Sequence, residues 1–188
     1  SAASDVYKRQ MMHDMLLQRG AKTVLWGCSV EPSLLEEPPI AEDLARYSLI
    51  TARESISYEA LRRVNPHTVL VADPAFTLEC CVPALPDGFS DGNMVGINLS
   101  PMIMEKESLT GMAMENYQKL IEYILEKTDM GVALIPHVVW DFSDDRIPLR
   151  ELYRKYQRTG RVVMIEDHNC MKLKGIISRC RFFIGART

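Results

Sequence analysis

Residues 48–76 read SLITARESISYEALRRVNPHTVLVADPAF, and they show the clearest structural pattern in the chain. Two apolar runs, at 49–52 and 68–72, flank a short amphipathic segment that closes at an Asn-Pro pair. A polar cluster follows each run, beginning at Arg53 after the first and at Asp73 after the second. This order predicts a β-α-β unit with parallel strands. In open parallel sheets, ligands bind at the carboxyl ends of the strands, where these polar clusters lie.

The rest of the chain continues this alternation of strands and helices. Apolar runs predict strands, and apolar residues at helical spacing predict helices. The predicted strands cover residues 22–26, 94–98, 132–136, 162–165 and 180–184, and the predicted helices cover 11–19, 40–47, 114–127, 148–157 and 171–178. This alternation is typical of an α/β protein with parallel sheets.

Residues 83–93, PALPDGFSDGN, are the best candidate for a linker because Pro, Gly, Asp, Ser and Asn cluster there. We therefore expect two lobes. The first lobe contains residues 11–82 and the second contains residues 94–188.

The composition restricts the class of protein. A chain of 188 residues with 47% hydrophobic and 25% charged residues is typical of a globular protein with a sizeable core. The net charge of −3 gives no support for a nucleic-acid or anionic-membrane surface. The sequence contains no apolar run of transmembrane length and no apolar signal-peptide segment near its start.

Cysteine and tryptophan residues are expected to be buried. The five cysteines, an odd number without a secretory signal, favour reduced thiols and a cytoplasmic location. The adjacent pair Cys80 and Cys81 lacks the spacing of a metal chelate. We expect all five thiols to be buried as small apolar groups, and Trp26 and Trp140 to be packing residues.

Both ends of the sequence are unusual. Residues 1–10, SAASDVYKRQ, resemble a translated adapter sequence, and residues 181–188 read as a strand followed by the start of its loop. We therefore give residues 1–10 no weight and expect a fragment that is truncated at both ends.

Polar side chains stand at or just after the ends of the predicted strands. Because loops at this edge converge in two-lobed α/β proteins, we expect these side chains to line one cleft between the lobes. The residues in these positions are Ser29, Arg53, Asp73, Asn98, His137, Asp167, His168 and Arg187.

Arg53 has two interpretations of about equal weight. A guanidinium at a strand end is suited to a bidentate grip on a carboxylate or phosphate. It is equally suited to a structural salt bridge with Glu54 or Asp73. Ser55 is predicted to cap the following helix, and such a cap can leave backbone N–H groups for an anion.

Asp73 and His137 are the candidates for acid–base chemistry. Asp73 precedes a proline, and a turn is the more frequent use of an Asp-Pro pair. Histidine side chains in general titrate near neutrality, so His137 is a candidate acid or base. A histidine that only hydrogen-bonds the loop backbone is about as frequent. His168 has no second His or Cys at a chelating offset, so no metal site is predicted. Arg187 follows Gly185 and Ala186, which let backbone approach a ligand closely.

The order of these short motifs resembles the polysaccharide pyruvyl transferase family. The likeness covers roughly residues 21–188, and its strongest part is the pairing of R-x-S with DPAF. The motifs are GCSVEP at 27–32, ITARES at 50–55, VADPAF at 71–76, VGINLS at 95–100, IPH at 135–137 and IGAR at 184–187.

The resemblance implies a GT-B-like fold, in which two Rossmann-like lobes face a cleft. It also implies transfer of the pyruvyl group of phosphoenolpyruvate to two hydroxyls of a sugar in a cell-surface polysaccharide or its precursor, which forms a ketal and releases phosphate. The expected partners are phosphoenolpyruvate and a glycan acceptor, with peripheral contact to lipid-linked glycans and with no metal or redox cofactor.

The resemblance also suggests roles for individual residues. Arg53 and Arg187 match arginines expected near the donor's carboxylate and phosphate, and His137 matches a loop position in the cleft. His137 and Asp73 are the catalytic candidates, while Ser29, Ser55 and Asn98 are expected to contact substrate. The family pattern continues after Arg187 to a histidine, as R-x-H, and the sequence ends before that position.

Two other functions stay open at this point. One is a GT-B glycosyltransferase that uses a nucleotide-sugar, for which Glu166 and Asp167 are candidate ribose ligands. The other is a non-catalytic α/β module that binds an anion.

Overall fold

The computed structural model describes the backbone of residues 2–186 and the side chains of residues 8–186. By its internal contacts the chain divides into two compact units, Ser1–Leu78 and Glu79–Thr188. Both are α/β units built on parallel sheets, as predicted. Residues 83–93, the predicted linker, lie in the second unit, where Leu85 and Phe89 pack against an apolar cluster.

The first unit contains a parallel sheet with strand order β1-β2-β3. A 3-10 helix, Pro32–Glu36, precedes α2, and a second one, Pro74–Thr77, follows β3. In chain order its main elements are α1 (Ala2–Gln18), β1 (Val24–Cys28), α2 (Pro38–Ala45), β2 (Leu49–Ala52), α3 (Ser55–Leu61) and β3 (Thr68–Leu70). The strand predicted at 49–52 agrees with β2 at every residue.

One face of this sheet is covered, and side chains of β1 on the other face are exposed. Leu44 of α2 and Leu61 of α3 pack with Ile50 in the covered core. On β1, Val24 is 48% exposed and Trp26 is 71% exposed. The apolar run at 22–26 predicts a short buried strand, which is wrong, because the side chains of β1 alternate between the covered face and the exposed one.

The second unit contains a parallel sheet with strand order β8-β5-β4-β9 and a separate antiparallel hairpin of β6 and β7. Its elements are β4 (Met94–Ile97), α4 (Pro101–Glu105), α5 (Met112–Lys127), β5 (Gly131–Leu134), β6 (Val139–Trp140), β7 (Ser143–Asp144), α6 (Arg146–Tyr156), β8 (Val162–Met164), α7 (Cys170–Ile177) and β9 (Phe182–Ile184). A 3-10 helix, Gln157–Thr159, extends α6.

Helices cover both faces of this sheet. Ile97 and Leu134 face Ile121 of α5 and Leu149 of α6 in one core. On the opposite face, Met94, Ala133 and Ile135 pack with Leu173 and Ile176 of α7. The alternation of adjacent strand residues between two apolar cores explains why these strands read as continuous apolar runs.

The cysteines are free thiols, and the prediction that all five are buried is wrong. Cys80, Cys81 and Cys170 are exposed, whereas Cys28 and Cys180 are partly buried. Trp140 is 61% exposed, so the expectation that both tryptophans are packing residues is also wrong. Within the described part of the chain, no helix has both the length and the apolar character needed to cross a membrane.

Candidate functional site

The carboxyl ends of β1, β2 and β3 bring Ser29, Arg53 and Asp73 to one edge of the first sheet. The Ser29 hydroxyl donates to Glu54 Oε1 at 3.3 Å. The Arg53 backbone N–H donates to the Cys28 carbonyl at 3.0 Å, which continues the pairing of β1 with β2 beyond the strands. Parallel pairing therefore places three of the predicted site residues along this edge.

Arg53 and Asp73 form an ion pair with 3.1 Å between Nη1 and Oδ2. Their side chains are 40% and 34% exposed, so water screens the pair and its net contribution to stability is small, roughly 0–1 kcal/mol. The other oxygen of Asp73 accepts a hydrogen bond from the Ala75 N–H at 2.8 Å. Asp73 therefore acts as the turn residue of its Asp-Pro pair and as the salt-bridge partner of Arg53.

The salt bridge with Asp73 uses only part of the hydrogen-bonding capacity of the Arg53 guanidinium. Arginine carries five N–H donors in a planar fork. Among the described residues, its side chain makes one hydrogen bond, to Asp73. An exposed fork with most of its donors available remains able to bind a carboxylate or phosphate.

Glu54, and not Ser55, caps α3. The two carboxylate oxygens of Glu54 accept from the backbone N–H groups of Ile56 at 2.7 Å and Ser57 at 2.9 Å. Hydrogen bonds from Ser57, with further ones from Ile56 and Ser29, lower the pKa of Glu54. Ser55 is the first residue of the helix, so its predicted capping role is wrong. A carboxylate already occupies these N–H groups, and they are not available to a substrate anion.

In the second sheet, β4 and β9 meet at a topological switch point. The chain proceeds from β4 to β5 and β8 on one side, and then crosses to β9 on the other side of β4. In open α/β sheets, ligands bind where the strand order reverses, outside the carboxyl ends of the strands. The Asn98 N–H donates to the Ile184 carbonyl at 3.0 Å, so Asn98 lies at this switch point.

The side chain of Asn98 is fully buried. Its Nδ2 atom donates to the Ile135 carbonyl at 3.0 Å and to Asp145 Oδ2 at 2.9 Å. Because both partners are acceptors, the amide has only one orientation compatible with them. Its Oδ1 atom is buried and accepts no hydrogen bond from the residues that the structure describes.

Asp145 is the residue of this edge that sequence reasoning missed. Its carboxylate is fully buried, and the same Oδ2 atom accepts the backbone N–H groups of His137 and Val138, both at 3.1 Å. Asp145 therefore connects the loop after β5 to Asn98 at the end of β4. The only signal in the sequence is an acidic residue three positions before the helix predicted at 148–157, and an acidic residue near a helix start usually indicates a cap.

His137 is partly buried at the start of this loop. Its ring stacks on Phe183 of β9, with 5.4 Å between ring centroids and 15° between planes. This contact places the imidazole on the β9 side of the sheet, near the switch point. Arg187 lies outside the described residues, which end two positions after β9, at Ala186.

Residues after β8 are separate from the switch point. Glu166 and Asp167 are exposed, and His168 is partly buried. β8 is an edge strand, and β5 lies between it and β4. No group of three or more potential metal ligands occurs among residues 8–186.

Together these observations define an α/β protein with polar residues at the carboxyl edges of two parallel sheets, one of which has a topological switch point. A family model for polysaccharide pyruvyl transferase matches residues 4–188, essentially the whole chain. The chain therefore belongs to the polysaccharide pyruvyl transferase family, as its motifs predict, and the family indicates a transferase that acts on a glycan in polysaccharide biosynthesis. A search of curated proteins gave no match.

Proposed function

We propose that this chain carries the donor-binding and acid–base residues for pyruvyl transfer from phosphoenolpyruvate to two hydroxyls of a glycan. The observation that carries the proposal is the family match over residues 4–188. The exposed Arg53 and the polar switch point at Asn98 support it, because each lies at the carboxyl edge of a parallel sheet.

The reaction needs cations for the donor and proton transfer at carbon. Phosphoenolpyruvate carries a carboxylate and a phosphate, which Arg53 and Arg187 are proposed to neutralise. Protonation of the methylene carbon makes the neighbouring carbon electrophilic, and one sugar hydroxyl adds there. Phosphate then leaves with its bonding electrons and the second hydroxyl closes the ketal. The two hydroxyl protons balance those taken up by the methyl group and the phosphate.

His137 and Asp73 are the proposed acid–base residues. His137 suits the role because its loop is held by Asp145 and its ring is fixed against Phe183. Asp73 starts from an ion pair with Arg53, and a donor anion that binds the guanidinium would compete for that contact. Ser29, Ser55 and Asn98 are proposed substrate contacts, with the buried Asn98 Oδ1 as an acceptor for a hydroxyl or a bridging water.

The proposal further includes a GT-B-like fold, which the family motifs imply. It includes a cytoplasmic location, where phosphoenolpyruvate is available, and peripheral contact with lipid-linked glycans. The scheme requires no metal or redox cofactor.

The position of the acidic residues argues against a nucleotide-sugar donor. In dinucleotide-binding folds the acidic ribose ligand follows the strand next to the first one. Here that strand is β5, and the three residues directly after it, Ile135, Pro136 and His137, are not acidic. Glu166 and Asp167 follow the edge strand β8 instead.

The test measures phosphate release from phosphoenolpyruvate in the presence of a panel of glycan acceptors. We expect Arg53→Ala to weaken phosphoenolpyruvate binding roughly tenfold to a hundredfold, the effect of losing a charge-assisted hydrogen bond. Arg62→Ala is the matched control. Arg62 is an exposed arginine directly after α3, the helix that follows Arg53, and it is paired with Glu59. Unchanged donor affinity in Arg53→Ala would overturn the assignment of Arg53.

A further inference from the structure

The hairpin of β6 and β7 presents two aromatic side chains to solvent. Trp140 is 61% exposed and Phe142 is 80% exposed. Their ring centroids are 5.4 Å apart and their planes are tilted by 44°. Together with Asp141, which lies between them in the chain and is also exposed, they form what we call the aromatic tip. Contiguous exposed apolar groups on a soluble protein often mark a binding site.

The aromatic tip stands on a stem, formed by residues 137–139 and 143–145, which hydrogen bonds hold in place. The Asp145 N–H donates to the Val138 carbonyl at 2.8 Å, and the Asp145 carboxylate accepts the Val138 N–H at 3.1 Å. On the other side of the stem, Asp144 accepts hydrogen bonds from Arg146 Nε at 2.9 Å and Nη2 at 2.7 Å. An isolated two-stranded hairpin is marginally stable, so these bonds are what hold the aromatic tip in place.

The stem begins at the candidate site. His137 and Val138 share one acceptor, the buried Asp145 carboxylate, which also binds Asn98 at the switch point. The aromatic tip therefore lies within five residues of His137 along the chain, on the same loop. A group that contacts the tip reaches the loop that presents the proposed acid–base residue.

The chemistry of the aromatic tip favours a neutral sugar. The axial C–H groups on one face of a pyranose ring carry partial positive charge and pack against the negative face of an aromatic ring. The Asp141 carboxylate can accept hydrogen bonds from hydroxyl groups at the ring edge. Residues 138–145 contain three aspartates and no lysine or arginine, which disfavours a nucleic acid or an anionic membrane.

We propose that Trp140 and Phe142 form a binding platform for a pyranose ring of the glycan acceptor, with Asp141 as a hydroxyl acceptor. The choice of a sugar as the occupant rests on the proposed pyruvyl transfer and on the family's action on glycans. The platform gives the acceptor a site of its own, and binding there does not require phosphoenolpyruvate.

The experiment uses the full chain carrying Trp26→Phe, so that Trp140 is its only tryptophan. The emission of Trp140 is followed during titration with the methyl α- and β-glycosides of glucose, galactose, mannose and N-acetylglucosamine. We expect a saturable change with at least one glycoside, in the absence of phosphoenolpyruvate. Phe142→Ala should weaken that binding about tenfold, since it removes one of two stacking faces.

The matched control is Tyr123→Ala, which removes an aromatic ring of 62% exposure from α5. It should leave the glycoside titration unchanged. No saturable change with any glycoside, or an equal affinity in Phe142→Ala, would overturn the platform. If glycosides have no effect but Trp140 emission changes with protein concentration, the result would overturn the platform in favour of self-association. If emission changes only on addition of phosphatidylglycerol vesicles, the result would overturn it in favour of membrane binding.

Different experimental results would overturn the platform and the proposed function. Phosphate release from phosphoenolpyruvate without any glycoside effect on Trp140 would keep pyruvyl transfer and remove the platform. Saturable glycoside binding without phosphate release would keep the platform and remove pyruvyl transfer from phosphoenolpyruvate. Where transfer is measurable, Trp140→Ala should raise KM for the acceptor about tenfold and leave KM for phosphoenolpyruvate unchanged.

Discussion

Gly27 lies near the end of β1, where the pairing register with β2 shifts between Leu25 and Cys28. Its φ angle is 58°, in the left-handed region that favours glycine. A Cβ atom at this position would also lie 3.1 Å from the Pro74 ring. This irregularity lies directly before Ser29, the first of the predicted site residues.

We expect Gly27→Ala to destabilise the protein by about 2 kcal/mol, through strained φ and the contact with Pro74. Gly20→Ala is the matched control, because Gly20 has φ of 73° and no atom within 4 Å of a Cβ. It should cost about 1 kcal/mol, from the backbone alone. Urea unfolding measures both, and equal losses would show that Pro74 contributes nothing.

Cys180 gives stability a pH dependence. Burial is the largest cause that raises the pKa of its thiol, from 9.0 to about 11. As pH rises past 9.0 the unfolded chain releases this proton first, so stability is full below that pH and falls toward about 11. Urea unfolding at about pH 8 and about pH 10 should show a larger loss in the wild type than in Cys180→Ala. Equal losses would contradict the shift.

At the scale of elements, α7 shows packing overriding local preference. Helix propensity alone predicts that Gly175→Ala stabilises the chain by about 1 kcal/mol. A Cβ atom at Gly175, however, would overlap the Cys81 carbonyl and lie 2.9 Å from the Val82 nitrogen. The segment at Cys81 is fixed there, since its N–H donates to the Met171 carbonyl at 3.2 Å.

We therefore expect Gly175→Ala to destabilise the protein by roughly 1–3 kcal/mol, the cost of overpacking a closed contact. Thermal unfolding measures the change, and Lys172→Ala on the same helix controls for propensity alone. A stabilised Gly175→Ala variant would mean that the 81–82 segment moves away at little cost.

Some strands have a clear pattern in the sequence, and others have none. β2, β4 and β5 are apolar runs with polar ends, and their positions in the sequence agree with the structure within two residues. The hairpin of β6 and β7 lies outside the strands that the sequence predicts, because strands of two residues have no periodicity to detect. Trp140 in this hairpin is expected to be a packing residue, whereas it is 61% exposed.

At the scale of the whole molecule, each unit has its own core and its own buried polar network. In the first unit, His13 contacts Asp43 through Nδ1 and Thr23 through Nε2, both at 2.7 Å, and stacks on Tyr47. In the second unit, Asp145 is the centre of the buried polar network, and it holds the loops at the sheet edge. The apolar clusters of the two units share no residue.

We expect His13→Ala and Asp145→Ala each to cost about 2–3 kcal/mol, because each leaves buried polar groups without partners. Amide exchange followed by mass spectrometry should rise only in the unit that carries the change. The controls are the exposed His67→Ala and Asp141→Ala, which should stay within about 0.5 kcal/mol. Faster exchange of β4 and β5 in His13→Ala would contradict independent units.

The α/β class, most strand positions and the family can be predicted from the amino-acid sequence, because apolar runs, turn residues and motif order are local features of the chain. The sequence also placed Arg53, Asp73, Asn98 and His137 at strand ends. Only the tertiary structure decided that Arg53 pairs with Asp73, that Glu54 caps α3 and that Asp145 binds the loop of His137. The contacts of Arg53 and Asp145 depend on strand order and on residues that lie 8 to 47 positions away in the sequence, so no local pattern encodes them. The Glu54 cap is local, but the serine directly after Glu54 fits the same capping pattern. The exposure of Trp140 likewise depends on which surfaces the fold leaves uncovered.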